Sequence, residues 1–268
     1  MNYVTFDPLQ NGERCVTAML HTPVQNVESF TRPAIIICPG GGYTHLSERE
    51  AAPVAEAYFA QGYHTFVLEY SVGDLAKDFR PLIQLAGTIN GIRQRAHQWM
   101  IDPNQIAVCG FSAGGHLAAS LGALFNDEKF MKMCPPMGNI RPNAMILGYP
   151  VILSNELAHA ESICMVSGQN SVDSEEYRYF GLDLHVDSHT PPTFIWHTAS
   201  DNCVPVENSL FFAAALAAAK VPFELHVLPS GNHGMSLCTR SVNACDPYNQ
   251  RWFEWSVKWL NRLFGFAC

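Results

Sequence analysis

The stretch that most constrains this chain is Gly110-Phe111-Ser112-Ala113-Gly114-Gly115-His116. It follows the apolar run Ile106-Ala107-Val108-Cys109 and precedes Leu117-Ala118-Ala119-Ser120-Leu121-Gly122-Ala123-Leu124, so it reads as a buried strand, a tight turn and a helix. A turn this sharp forces the serine into a strained backbone conformation, and Gly110 and Gly114 let strand and helix come close enough to make it. The serine oxygen then stands at a helix N-terminus, where amide N–H groups face any negative charge that forms. A glycine-rich structural turn is the competing reading; the strand before, the helix after and the extra Gly115 favour a nucleophile elbow.

The rest of the chain alternates strands with helices. Arg14 to His21 alternates in part and is expected to be an antiparallel edge strand. Ala34-Ile35-Ile36-Ile37-Cys38 is apolar throughout, hence buried on both faces, and ends in Pro39-Gly40-Gly41-Gly42-Tyr43, where open α/β sheets place ligands. A helix is expected from Glu50 to Ala60, a strand from Tyr63 to Tyr70 and a helix from Arg80 to Met100 whose apolar stripe runs at three- and four-residue spacing. After the elbow come strands at Ala144–Pro150, Thr193–Ala199 and Phe223–Leu228, an alanine-rich helix at Val206–Lys220 and an aromatic-rich helix at Trp252–Leu260. The segment 151–190 has no long periodic run and reads as an excursion of short helices and loops where a cap would sit. The expected fold is α/β: one domain over 1–268, with a mostly parallel central sheet and helices on both faces.

Composition narrows the function. Hydrophobic residues are 48% and charged residues 15% of the 268, which suits a large core. The formal net charge of −8 disfavours nucleic acid and anionic membrane surfaces as partners. Met1–Pro8 lacks the basic start and apolar core of a secretory signal, and no apolar run reaches membrane-span length. Nine cysteines without C-x-x-C spacing read as reduced core thiols in a cytoplasmic protein. No spacing of histidines suggests a metal, and neither a phosphate-binding loop nor a dinucleotide fingerprint is present, so no cofactor is expected.

Serine needs a base, and the base needs an orienting group. Asp201 lies just past a buried strand, and His233 lies in the loop Pro229-Ser230-Gly231-Asn232-His233-Gly234-Met235 past the next. Both loops open on the same sheet edge as Ser112, and the chain order Ser, Asp, His is the one this fold class uses. Asp187 and Asp173, in the irregular segment, have weaker claims, and His197 is expected to be a hydrogen-bonded core residue. An oxyanion formed at the substrate requires donors already in place; the Ala113 amide and those of Gly41 and Gly42 are the candidates.

Taken together, Pro39-Gly40-Gly41-Gly42-Tyr43 with Ser47-Glu48-Arg49-Glu50, Asp102 to Val108, the elbow with its Gly115-His116, Thr190 to Thr198 before Asp201, and Gly231-Asn232-His233-Gly234 resemble the α/β-hydrolase esterases of the acetyl-esterase and acetylxylan-esterase-like group. The resemblance runs from about Ala34 onward. It implies Ser112, Asp201 and His233 as the catalytic residues and Gly41, Gly42 and Ala113 as the oxyanion hole. It further implies a small carboxylic ester as substrate, acetyl groups on carbohydrate leading. Pro39 departs from the histidine carried by many hormone-sensitive-lipase-like members, which leaves the backbone donors but not that branch's substrate preference. Tyr43 and His116 are expected to contact the alcohol or sugar. An arylformamidase-like amidase and a prolyl-oligopeptidase-like peptidase are the nearest alternatives, and a non-catalytic binding protein the most distant. The C-terminal aromatic residues either pack a helix or join copies in a homo-oligomer; packing is the expectation.

Overall fold

In a computed structural model of the protein, which describes residues 1–12, 16–26 and 28–266, the fold follows from strands whose two faces are both apolar. Along β3 (Arg32–Cys38), Ala34, Ile36 and Cys38 face one core, and Ile35 and Ile37 the other; β5 (Ile101–Phe111) alternates likewise. The sheet has eight strands in the order β1-β2-β4-β3-β5-β6-β7-β8, completed by β1 (Asn2–Phe6), β2 (Val16–Leu20), β4 (His64–Leu68), β6 (Ala144–Gly148), β7 (Thr193–Thr198) and β8 (Phe223–Leu228). The pairs β1–β2 and β2–β4 are antiparallel and the rest are parallel.

One face is covered by α2 (Arg80–Gln94), α4 (Ala113–Leu124) and α8 (Glu207–Ala218), the other by α1 (Ala52–Ala60) and α9 (Arg251–Phe264). The aromatic residues of α9 pack inward as expected: Trp252 is fully buried and stacks on Trp196 with ring centroids 4.9 Å apart, while Trp255 stacks on His226. Short helices α3 (Ala96–Trp99), α5 (Glu128–Met133), α6 (Ala160–Ser167) and α7 (Glu175–Tyr179) complete the chain, the last two within 151–190.

Several boundaries differ from expectation. The sheet edge is β1, not the segment 14–21, whose Arg14 and Cys15 lie outside the described residues; β2 is flanked on both sides. The helix expected from Glu50 is a 3-10 turn at Glu48–Glu50 followed by α1, because Ala51 leaves helical dihedrals at φ −101°, ψ −105°. Arg95 (φ −102°, ψ 6°) likewise divides the 80–100 helix into α2 and α3. Residues 102–105 bulge from β5, since Arg32 pairs with Ile101 but Ala34 pairs with Ile106.

At the foot of the sheet His64 is 1% exposed, and its Nδ1 accepts the His21 N–H at 3.1 Å. Burial, aided by the nearby His21 and Arg32, pushes its imidazole down to about 4. An unfolded histidine titrates near 6.5, so between these values the unfolded chain binds the extra proton. The contribution of His64 to stability is therefore expected to fall as pH drops from about 6.5 towards 4 and to level off below. Denaturant unfolding of the native protein and of His64→Asn, which keeps an acceptor for the His21 amide, checks this: the variant loses part of the slope.

Candidate active site

Ser112 sits between β5 and α4 at φ 52°, ψ −120°, the strained turn required of an elbow. Its N–H donates to the Gly148 carbonyl at 3.0 Å, and its own carbonyl accepts from His116 and Val151. The flanking glycines are there for space. A methyl group on Gly114 would run into the Cys38 and Pro39 carbonyl oxygens, and one on Gly110 into the Gly114 carbonyl.

The structure brings Ser112, His233 and Asp201 together although they arise from three separate strand ends. Ser112 Oγ is 2.8 Å from His233 Nε2, and His233 Nδ1 is 2.7 Å from Asp201 Oδ2. Since an ionised carboxylate only accepts, Nδ1 carries the proton and Nε2 is left to accept from the serine hydroxyl. The Asp201 side chain is 1% exposed. Burial by itself pushes its carboxyl up; hydrogen bonds from His197 and His233 and from the Cys203 amide outweigh this and hold it well below the usual carboxylate range. It therefore stays ionised below the pH at which an ordinary carboxyl takes up its proton.

His197 is the core residue expected of it and also steadies this carboxylate. It is fully buried, with Nδ1 2.8 Å from Ser209 Oγ, and with Nε2 3.0 Å from the Val204 carbonyl and 3.3 Å from Asp201 Oδ2. The histidine loop needs its glycines, since Gly231 and Gly234 both have positive φ. It is tied to the aspartate loop by Thr198 Oγ1 and Ser200 Oγ, which donate to the Gly231 carbonyl at 2.9 and 3.2 Å. Asp187 and Asp173 remain apart from the site; the first caps its own turn and the second pairs with Arg178.

Gly41 and Gly42 line a cleft of about 240 Å³ together with Ser112 and His233. Their positive φ values, 121° and 64°, curl the loop so that the Gly41 carbonyl accepts from the Thr44 and His45 amides. Among the described residues the amides of Gly41, Gly42 and Ala113 donate no hydrogen bond, which leaves them free for a ligand. Ala113 follows Ser112 at the first position of α4.

Tyr43 and His116 do not do what was expected of them. Tyr43, at φ 60°, turns its ring under the loop, is 1% exposed and packs against Tyr70; its hydroxyl is 2.9 Å from Nδ1 of the fully buried His116. His116 Nε2–H donates to the Phe180 carbonyl at 3.0 Å, and burial pushes its imidazole down to about 4. Both are out of the cleft, and they join the glycine loop, α4 and the 151–190 segment from below.

The polar wall of the cleft comes instead from Thr44, His45, Arg49, His159, Glu161 and Cys203. His159 caps the N-terminus of α6, where it accepts from Ser162, and α6 thereby brings Glu161 to the cleft. Of these, His159 and Glu161 escape a sequence reading because 151–190 has no periodicity to place them.

Hydroxyl, neutral imidazole and ionised carboxylate in series, beside unpaired amides, can activate an oxygen nucleophile and receive an oxyanion. In Gly114→Ala the added methyl group meets two backbone carbonyls that cannot move aside. Thermal unfolding is expected to show a loss of about 1–3 kcal/mol or more, together with loss of reaction at Ser112.

The family model described as BD-FAE matches residues 20–216. The chain is 38% identical over 216 residues to endo-1,4-beta-xylanase B of Butyrivibrio fibrisolvens and 31% identical over 224 residues to an acetylxylan esterase of Xylanibacter ruminicola, covering 78% and 77% of this chain. It spans only 33% and 42% of the length of those two proteins. Among solved structures, the acetyl ester-xyloside bifunctional hydrolase from Caldicellulosiruptor lactoaceticus superposes with a TM-score of 0.82 at 37% identity, covering 98% of this chain and 92% of that one. With more than half of its length matched by the family model and its sheet matched by that structure, the chain belongs to the BD-FAE family and has the α/β-hydrolase fold.

Proposed function

We propose that the protein is a serine ester hydrolase that removes short acyl groups, acetyl foremost, from carbohydrate or small alcohols. The observation that carries the proposal is the series Ser112 Oγ, His233 and Asp201 at 2.8 and 2.7 Å, opening on a cleft lined by Gly41 and Gly42. In this mechanism Ser112 attacks the ester carbonyl while His233 Nε2 takes its proton. The carbonyl oxygen becomes an oxyanion received by the amides of Gly41, Gly42 and Ala113, each contributing roughly 10²-fold to 10³-fold in rate. His233 then returns the proton to the departing alcohol, leaving an acyl group on Ser112 that water removes by the same steps in reverse. Asp201 fixes the imidazole tautomer and stabilises its charged form throughout.

A cleft of about 240 Å³ with a polar wall supports a small acyl group and a hydroxyl-rich alcohol in preference to a long lipid chain. The likeness to an acetylxylan esterase and to an acetyl ester-xyloside bifunctional hydrolase supports acetylated sugar as the substrate class. Among the described residues no helix is long and apolar enough to cross a membrane. The seven described cysteines, all free, support a cytoplasmic location.

Hydrolysis of p-nitrophenyl acetate, butyrate and octanoate and of an acetylated xylo-oligosaccharide tests the proposal. The acetate and the acetylated sugar are expected to be preferred, and Ser112→Ala is expected to lower kcat by at least about 10⁴-fold. Turnover unchanged in Ser112→Ala sinks the mechanism. Preference for a formylated aromatic amine over every ester moves the protein to the amidases. In Asp201→Asn, which lets the imidazole adopt the wrong tautomer, kcat is expected to fall roughly 10⁴-fold with the fold retained, as circular dichroism and steady-state kinetics would show.

A further inference from the structure

Glu50 has no part in the mechanism above, yet it is a carboxylate only 2% exposed and, among the described residues, without an ion-pair partner. Burying such a group is costly unless its oxygens are well used. Here each oxygen takes one strong donor. Oε2 accepts the Gly40 N–H at 2.9 Å, at the root of the loop that carries Gly41 and Gly42. Oε1 accepts the Tyr149 hydroxyl at 2.6 Å, and that hydroxyl oxygen in turn accepts the Ser236 N–H at 2.9 Å. Ser236 lies three residues past His233, and its Oγ donates to the Arg49 carbonyl at 2.6 Å. The His233 ring itself stands edge-on to the Tyr149 ring, centroids 4.9 Å apart at 68°. Tyr149 is held at φ 36°, with its amide on the Trp196 carbonyl.

We propose that Glu50 is a positioning residue that locks the glycine loop and the histidine loop to one another through Tyr149, so that oxyanion donors and general base keep one fixed spacing about Ser112. The proposal rests on the serine-hydrolase reading and adds the joint on which it turns. The chemistry calls for a carboxylate. Both neighbours donate: burial and the Glu50 charge push the Tyr149 phenol far up, so it keeps its proton. A glutamine has one acceptor and one NH2. Placed here, its NH2 either faces the Gly40 N–H, donor against donor, or faces the Tyr149 hydroxyl, whose proton then loses its acceptor, and one arm of the joint is weakened. Glu50→Gln therefore changes the link at constant volume, and Tyr149→Phe cuts the histidine arm while leaving the carboxylate on Gly40.

The test is steady-state hydrolysis of p-nitrophenyl acetate by the native protein, Glu50→Gln, Tyr149→Phe and the double variant. Rates are expressed per active site titrated with a p-nitrophenyl phosphonate that reacts at Ser112, and thermal unfolding is measured alongside. The expected result is a fall of roughly tenfold to 10²-fold in kcat per titrated site for each single variant, with KM within about threefold of native. The double variant is expected to lose little more than the worse single one, because both cut the same link. A kcat per titrated site within about twofold of native, with only the melting temperature lowered, overturns the proposal and leaves Glu50 as fold support. Additive losses also overturn it, since the two residues then act separately. Should Glu50→Gln not fold, Tyr149→Phe decides by the same kcat criterion. If native turnover depends on Ser112 but neither variant alters it, this proposal fails and the serine-hydrolase reading stands. If turnover does not depend on Ser112, that reading fails and takes the proposal with it.

Discussion

The site depends on how closely α4 approaches the ends of β3 and β5. These two strands are neighbours in parallel register, Ile37 beside Cys109 and Cys38 beside Gly110, so the glycine loop after one and the elbow after the other emerge side by side. The start of α4 is then pressed onto the Cys38 and Pro39 carbonyls at Gly114, a distance that no residue with a Cβ allows. Every residue of α4 is buried. Its many alanines and glycines reflect that enclosure, and its place fixes where the Ser112 hydroxyl and the Ala113 amide stand relative to Gly41 and Gly42.

Sequence patterns carry this part of the structure well because the forces are local or strongly periodic. Doubly apolar strands, a Ser between spaced glycines, and Gly231 and Gly234 about His233 each favour one arrangement over its rivals, and the structure adopts it. What depends on contacts between distant segments is less legible. Tyr43 borders the glycine loop in sequence, but its left-handed backbone turns the ring inward to His116, 73 residues away. Glu50, an acid at the start of a helix, has the look of a solvated end residue; its burial is created by Tyr149, 99 residues on. The edge strand β1 escapes notice because its residues are largely exposed, leaving little alternation to read. One wall of the cleft, at His159 and Glu161, lies in a segment whose short helices are each too brief to show a period.

The two buried carboxylates near the site are held in different ways. Asp201 gathers imidazole and backbone donors from its own loop and from His197 and His233, which makes it a fixed negative charge behind the base. Glu50 is satisfied by one amide and one phenol, both neutral, and spreads its charge over loops that come from different parts of the sheet. Behind the cleft, His116 stays neutral through burial, so the support beneath the glycine loop adds no charge to compete with either.

The distance in sequence between Ser112 and His233 has a consequence during synthesis. The two are 121 residues apart, and His233 lies beyond β8, the outermost strand at its end of the sheet. A growing chain therefore displays its serine long before the imidazole that would activate it leaves the ribosome. On the proposed mechanism, a nascent protein whose final strand has not docked against β7 holds no base beside that serine. Acquisition of nucleophilic reactivity at that serine, followed in time, is thus a clock for completion of the sheet.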